Sequence, residues 1–218
     1  MSPVDRTGTP LAALRQIARS GPAPAAEVRC EMCAAGIPAA HSHVVDLQSR
    51  ALLCACRPCY LLFTDEHAKL QYRAVPERYL SLPGQAFDEQ AWDELQIPVG
   101  LAFLFRDSVR DRMVASYPGP AGATESDLPL PAWDLIVSRT PQLAMLRPDV
   151  EAVLVRRPAG VPDAQCFLVP VDACYELVGR LRLLWRGIDG GREAHEAIEQ
   201  FFARVRAFSR PAPPVGAP

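Results

Sequence analysis

The chain has 218 residues, 49% of them hydrophobic, and a formal charge of −2. That length holds one large domain, or a small module joined to a medium one, with enough apolar residues for a true core. The near-neutral charge gives no global attraction to nucleic acid or to an acidic membrane.

In chain order, Thr9 and Pro10 open an expected helix over residues 9–19, with Thr9 as cap and Pro10 in the first turn. The opening segment has no apolar stretch long enough for a signal peptide, and no window reaches the roughly 20 apolar residues of a membrane span. The expected location is therefore the cytoplasm. Residues 20–27, rich in proline and alanine, read as a linker.

The cysteine-rich segment follows. CEMC at Cys30–Cys33 is answered by CACRPC at Cys54–Cys59, with His41 and His43 between them. HVVDL and RALLCAC read as two short strands around a turn at Gln48 and Ser49. Pairing about that turn places His43 opposite Cys54 and His41 opposite Cys56, with the four side chains on one face. CYLLF (59–63) continues apolar, and residues 71–84 read as an extended exit.

From Phe87 the pattern changes. Residues 88–97 form an expected helix that stops before Pro98. Residues 99–106 and 112–117 read as a strand pair, 118–127 as a loop and 130–139 as a helix. Strands are expected over 150–157 and 164–170, then a helix over 171–185 with Asp172 as its cap. Leu177, Val178, Leu181, Leu184 and Trp185 recur at helical spacing and should face the core. In the helix expected over 192–209 the buried stripe is Ile198, Phe201, Phe202, Val205 and Phe208.

The fold class that results is α+β. A small cysteine-rich, zinc-ribbon-like β-hairpin module is followed by an α+β domain with a mainly antiparallel sheet and C-terminal helices. Residues 1–26 are an N-terminal helix and linker, 27–83 the metal-binding module, 85–209 the α+β domain with about four strands and helices on one side, and 210–218 a disordered tail.

Two Cys-x2-Cys pairs, with 22 residues between Cys33 and Cys56, match the ligand spacing of a tetrahedral zinc site. The metal ligands expected are Cys30, Cys33, Cys56 and Cys59, with Cys54, His41 and His43 as alternates. Zn2+ is the expected ion. An iron–sulfur cluster on the same residues is the alternative, although the His-x-His and Cys-x-Cys-x2-Cys order departs from the usual mixed-ligand pattern. Seven cysteines cannot all pair within one chain, and clustered thiols in a reducing compartment point to metal or redox chemistry.

Elsewhere the bland readings prevail. His67 reads as a surface residue, His195 as a solvated helix residue, and Cys166 and Cys174 as core. GPAGAT (119–124) lacks the lysine and spacing of a phosphate loop. Basic and acidic residues balance in the cysteine module, which argues against a nucleic-acid finger. No acid–base pair at meaningful spacing marks a catalytic centre, so a small-molecule enzyme using Tyr175, Trp185 or Asp172 is the weakest reading.

The segments CEMC, HSHVVDL, LLCACRPCYLLF, YRAVPERY, IPVGLAFLF, YPGPAGATES and LVPVDACYELVGRLRLLWRG together resemble an uncharacterised bacterial family, mainly actinobacterial, whose members are encoded near uptake [NiFe]-hydrogenase genes. The resemblance runs from Cys30 to Phe208. It implies an accessory protein in hydrogenase assembly, maturation or electron transfer, with a hydrogenase subunit or maturation factor as partner. It implies no established activity.

Overall fold

The structure is a computed structural model, and it describes residues 28–65, 70–119, 122–128, 130–157, 164–187 and 190–214. The helix expected over 9–19 and His67 lie outside the described residues. Two sheets organise the chain: a three-stranded one in the order β2-β1-β3, and a seven-stranded one in the order β10-β4-β9-β8-β5-β6-β7.

The small sheet is built from β1 (Ser42–Asp46), β2 (Leu52–Ala55) and β3 (Tyr72–Ala74). The β1–β2 hairpin has the register read from the sequence, with His43 opposite Cys54 and Val44 opposite Leu53. Asp46 fixes the turn, its carboxylate accepting from the Gln48 N–H at 2.9 Å. The apolar run after Cys56 is a short helix, α1 (Arg57–Leu61), which Pro58 favours in its first turn. The exit segment supplies β3, antiparallel to β1.

The large sheet comprises β4 (Leu80–Leu82), β5 (Leu101–Asp107), β6 (Arg112–Gly119), β7 (Gly122–Asp127), β8 (Glu151–Arg156), β9 (Gln165–Pro170) and β10 (Arg210–Pro211). All its pairings are antiparallel except β10 with β4. The helices are α2 (Glu89–Glu94), α3 (Leu130–Arg139), α4 (Val171–Leu184) and α5 (Gly191–Phe208), with 3-10 turns at Gln85–Phe87 and Pro141–Met145. Asp88 caps α2 by accepting from the Ala91 N–H at 2.8 Å. The chain is thus α+β with a mainly antiparallel sheet, C-terminal helices and a cysteine cluster toward its N-terminal end.

Helices cover both faces of this sheet, not one. Ala102, Leu104, Val153, Val155 and Leu168 meet Phe87, Trp92, Leu95, Trp133 and Ile136 on one face. Their sequence neighbours Leu101, Phe103, Leu154, Phe167 and Val169 meet Leu177, Leu181, Phe201, Phe202 and Val205 on the other. A strand buried on both faces has no polar alternation to show, and these strands read as continuous apolar runs for that reason.

Three other expectations change. Residues 122–127, read as loop, are the edge strand β7, whose side chains from Ala123 to Glu125 are exposed and carry no apolar period. The segment read as a disordered tail begins as a strand: Arg210 and Pro211 pair with Leu80 and Ser81, and Ala212 packs on the core. Phe208, expected in the buried stripe, is 62% exposed and instead lies beside the Tyr79 ring at 5.9 Å.

The two sheets touch. Val45 and Val75 of the small sheet's side bury against Val150 and Val171. Arg73 pairs with Asp149 at 3.2 Å, and Arg50 makes two bonds to the Glu125 carboxylate, at 3.2 and 2.9 Å. Within the large sheet, the fully buried Glu151 carboxylate is held by Arg78 at 2.8 and 2.6 Å and by the Arg147 N–H at 3.0 Å.

Candidate metal centre

Two tight turns present the cysteine pairs. In the first, the Cys30 N–H donates to the Ala35 carbonyl and the Ala34 N–H returns to the Cys30 carbonyl, both at 2.8 Å. Ala34 takes the left-handed conformation, φ 62°, that closes such a turn. In the second, Cys56 stands at the N-cap of α1, its carbonyl accepting from the Tyr60 N–H at 2.9 Å, and Cys59 sits in the helix's first turn. Glu31 ties the turns together: its N–H donates to the Cys54 carbonyl at 2.9 Å, and its carboxylate accepts from the Cys54 N–H at 2.6 Å.

The result is convergence. The sulfurs of Cys30, Cys33, Cys56 and Cys59 all lie within 4.8 Å of one another. Cys33 Sγ and Cys56 Sγ are 3.6 Å apart, far beyond the roughly 2.05 Å of a disulfide. All seven cysteines are free thiols. Cys30 is buried at 1% exposure, while Cys33 is exposed and Cys56 and Cys59 lie between.

Ionisation inside the cluster is uneven. Burial opposes ionisation of Cys30, but the backbone N–H groups of Cys56, Cys33 and Met32 together outweigh it and bring its thiol down to about 6. Cys59 is pushed up to about 12 by its side-chain contacts with Cys56 and Cys33 and by burial. A thiolate already favoured at Cys30, crowded by three further sulfurs, is a donor set that a soft or borderline cation completes by displacing the remaining protons. Four such sulfurs could hold one metal ion.

The alternates do not join this cluster. His41, His43 and Cys54 form a second group, their ligand-capable atoms also within 4.8 Å of one another. The sequence placed Cys56 on a shared face with these three. In the structure the chain turns into α1 at Cys56 and carries that sulfur to the four-cysteine cluster.

Asp172 was expected to cap α4. Pro170 occupies the cap position, and Asp172 in the first turn holds His43 instead, Oδ2 to Nδ1 at 2.8 Å. The partners are 129 residues apart in the chain, so only the folded contact reveals the pair.

The remaining residues match their bland readings. Cys166 and Cys174 are core, 3% and 5% exposed, and burial pushes both thiols well above the usual range. His195 is exposed and donates from Nδ1 to the Gly191 carbonyl at 2.7 Å. Tyr175 borders an apolar cavity of about 190 Å³ with Phe103, Phe105 and Val178, whereas Trp185 borders a different, open one.

A family model described as a family of unknown function, DUF5947, matches residues 29–209, a span that takes in both sheets and the cysteine cluster. No curated protein and no solved structure matches the chain.

Proposed function

The chain belongs to DUF5947, a family of unknown function, and from the cysteine cluster we propose that it is a metal-binding accessory protein. Cys30, Cys33, Cys56 and Cys59 hold one structural ion, which we assign as Zn2+. The observation that carries this reading is the mutual approach of four sulfurs within 4.8 Å. Zinc–thiolate bonds of about 2.3 Å in a tetrahedron require sulfurs about 3.8 Å apart. The 3.6 Å between Cys33 and Cys56 is close to that edge. An iron–sulfur cluster would set several irons and sulfides between the thiolates and spread them further, so the compact set favours a single ion over the alternative of an electron-transfer cluster.

Four thiolates saturate a tetrahedral ion and leave no position for substrate, so the centre is structural, not catalytic. Its task is to hold a segment with little core of its own. Val44, Ala55 and Tyr60 are the buried centre of the small sheet's own cluster. A module of about fifty residues gains its missing stability from ligand bonds.

The same segment offers a surface for a protein partner: Leu61 and Leu62, which follow Cys59 and the buried Tyr60, are 51% and 68% exposed. The partner we propose is a hydrogenase subunit or maturation factor, and this rests on the family resemblance alone. Free thiols throughout suit a reducing, cytoplasmic compartment. Among the described residues no helix is long and apolar enough to cross a membrane.

The test is metal analysis of protein produced without added zinc. The reading expects colourless protein with bound zinc, of which Cys30→Ser/Cys33→Ser removes at least one equivalent. A coloured protein carrying iron, or zinc content indifferent to those substitutions, would overturn it.

A further inference from the structure

We propose that His41, His43 and Cys54 form a second metal site, separate from the four-cysteine centre and left with an open coordination position. The ion it takes is a borderline-soft divalent transition metal, Zn2+, and the fourth donor is an exchangeable one such as water or a small anion.

The two imidazoles are already set as ligands. His41 Nδ1 lies 3.0 Å from the Pro38 carbonyl and 3.1 Å from that of Ala39. A carbonyl only accepts, so Nδ1 carries the proton and Nε2 keeps the lone pair. That Nε2 is buried and has no hydrogen-bond partner. Leaving a buried nitrogen unsatisfied is costly, and an ion is the partner its lone pair would take. His43 is fixed the same way by a different group: its Nδ1 donates to Asp172 Oδ2 at 2.8 Å, which turns Nε2 to the opposite side of the ring. The rings stand 4.8 Å apart, inclined by 58°. Two imidazoles sharing one ion meet at an angle of this kind, whereas stacked rings do not.

Cys54 completes the set because the hairpin places it directly across from His43. Its backbone is pinned on both sides by Glu31. A carboxylate behind a ligating histidine orients the ring and raises its basicity, the usual support of a zinc-bound imidazole. Here the carboxylate comes from α4 of the large sheet's helical layer. An ion at this site therefore rests on residues from both sheets and fastens their joint. Two imidazoles and one thiolate give three protein ligands, the number found where zinc keeps a position for an exchangeable fourth.

The site shares no ligand with the four-cysteine centre, and one experiment separates them. The full-length chain is stripped of metal under reducing conditions and titrated with Zn2+ in competition with a chromophoric chelator. The expected result is two equivalents for the wild type and one for His41→Ala/His43→Ala, while Cys30→Ser/Cys33→Ser, which loosens the small sheet that carries both sites, binds at most one. Asp172→Asn should keep both equivalents while weakening one of them by about 10- to 100-fold. A wild type that binds a single equivalent, lost on cysteine substitution and kept in the histidine double variant, overturns the second site and leaves the first intact. A histidine double variant that still binds two equivalents also overturns it. Its near-ultraviolet circular dichroism should match wild type, so that loss of one equivalent reports loss of ligands and not of fold.

Discussion

The two sheets are held together by different means. The large sheet is sandwiched between two apolar layers, with Phe87, Leu104, Leu154, Leu168, Leu177 and Phe202 all fully buried. Among the described residues the small sheet has only Val44, Ala55 and Tyr60 as the buried cluster at its own centre, and it shares Val45 and Val75 with its larger neighbour. Where burial is plentiful the thiols are inert core groups, as at Cys166 and Cys174. Beside the small sheet, whose own apolar cluster is small, they converge, as at Cys30, Cys33, Cys56 and Cys59. The converging cysteines lie where hydrophobic stabilisation is short, the arrangement that the proposed metal-dependent module requires.

The sharpest way to break the comparison is to remove the metal proposed for the four-cysteine cluster. Cys56→Ser, or a strong chelator, should make residues around the small sheet sensitive to limited proteolysis while the large sheet remains resistant. This is the largest effect expected, because in the proposed centre the ligand bonds would substitute for a core that the segment lacks. Equal resistance of both regions would show that the small sheet does not depend on its ion.

The complementary experiment attacks the apolar side. Phe202→Ala removes a fully buried ring between α5 and the sheet and should cost about 3–5 kcal/mol in chemical denaturation. Zinc content should stay unchanged, since no ligand lies in that layer. Arg78→Met is next, at about 3 kcal/mol, because it strands the Glu151 carboxylate in a fully buried position. The smallest effect belongs to Glu176→Gln. Its pair with Arg204 links α4 to α5 at the surface, with the two side chains 47% and 40% exposed, and its loss should change stability by less than about 0.5 kcal/mol. A larger loss there would mean that surface ion pairs, and not the apolar layers, carry the helical packing.

Much of this division is legible in the sequence, and the parts that are not have physical causes. Cysteine spacing and the turn at Gln48–Ser49 specify the hairpin register, because local chain geometry determines which residues face each other. Buried strands and α5 announce themselves by apolar runs and helical period. The edge strand β7 does not, since an exposed strand has no apolar face to repeat, and β10 is hidden in a proline-rich stretch of two paired residues. Placement of helices on both faces depends on which apolar residue of each strand points which way, and a doubly buried strand gives no contrast to read. The division of seven candidate ligands into four and three is likewise absent from the spacing. It follows from the chain turning into α1 at Cys56, and from Asp172 reaching His43 across the joint between the sheets.

The central claim is that four thiolates share one zinc ion. It is tested most directly by zinc K-edge X-ray absorption on the His41→Ala/His43→Ala chain, in which only the four-cysteine centre can load. The account predicts a single shell of four sulfurs at about 2.3 Å. A shell containing nitrogen or oxygen in place of sulfur, or a protein that retains no zinc, would contradict it.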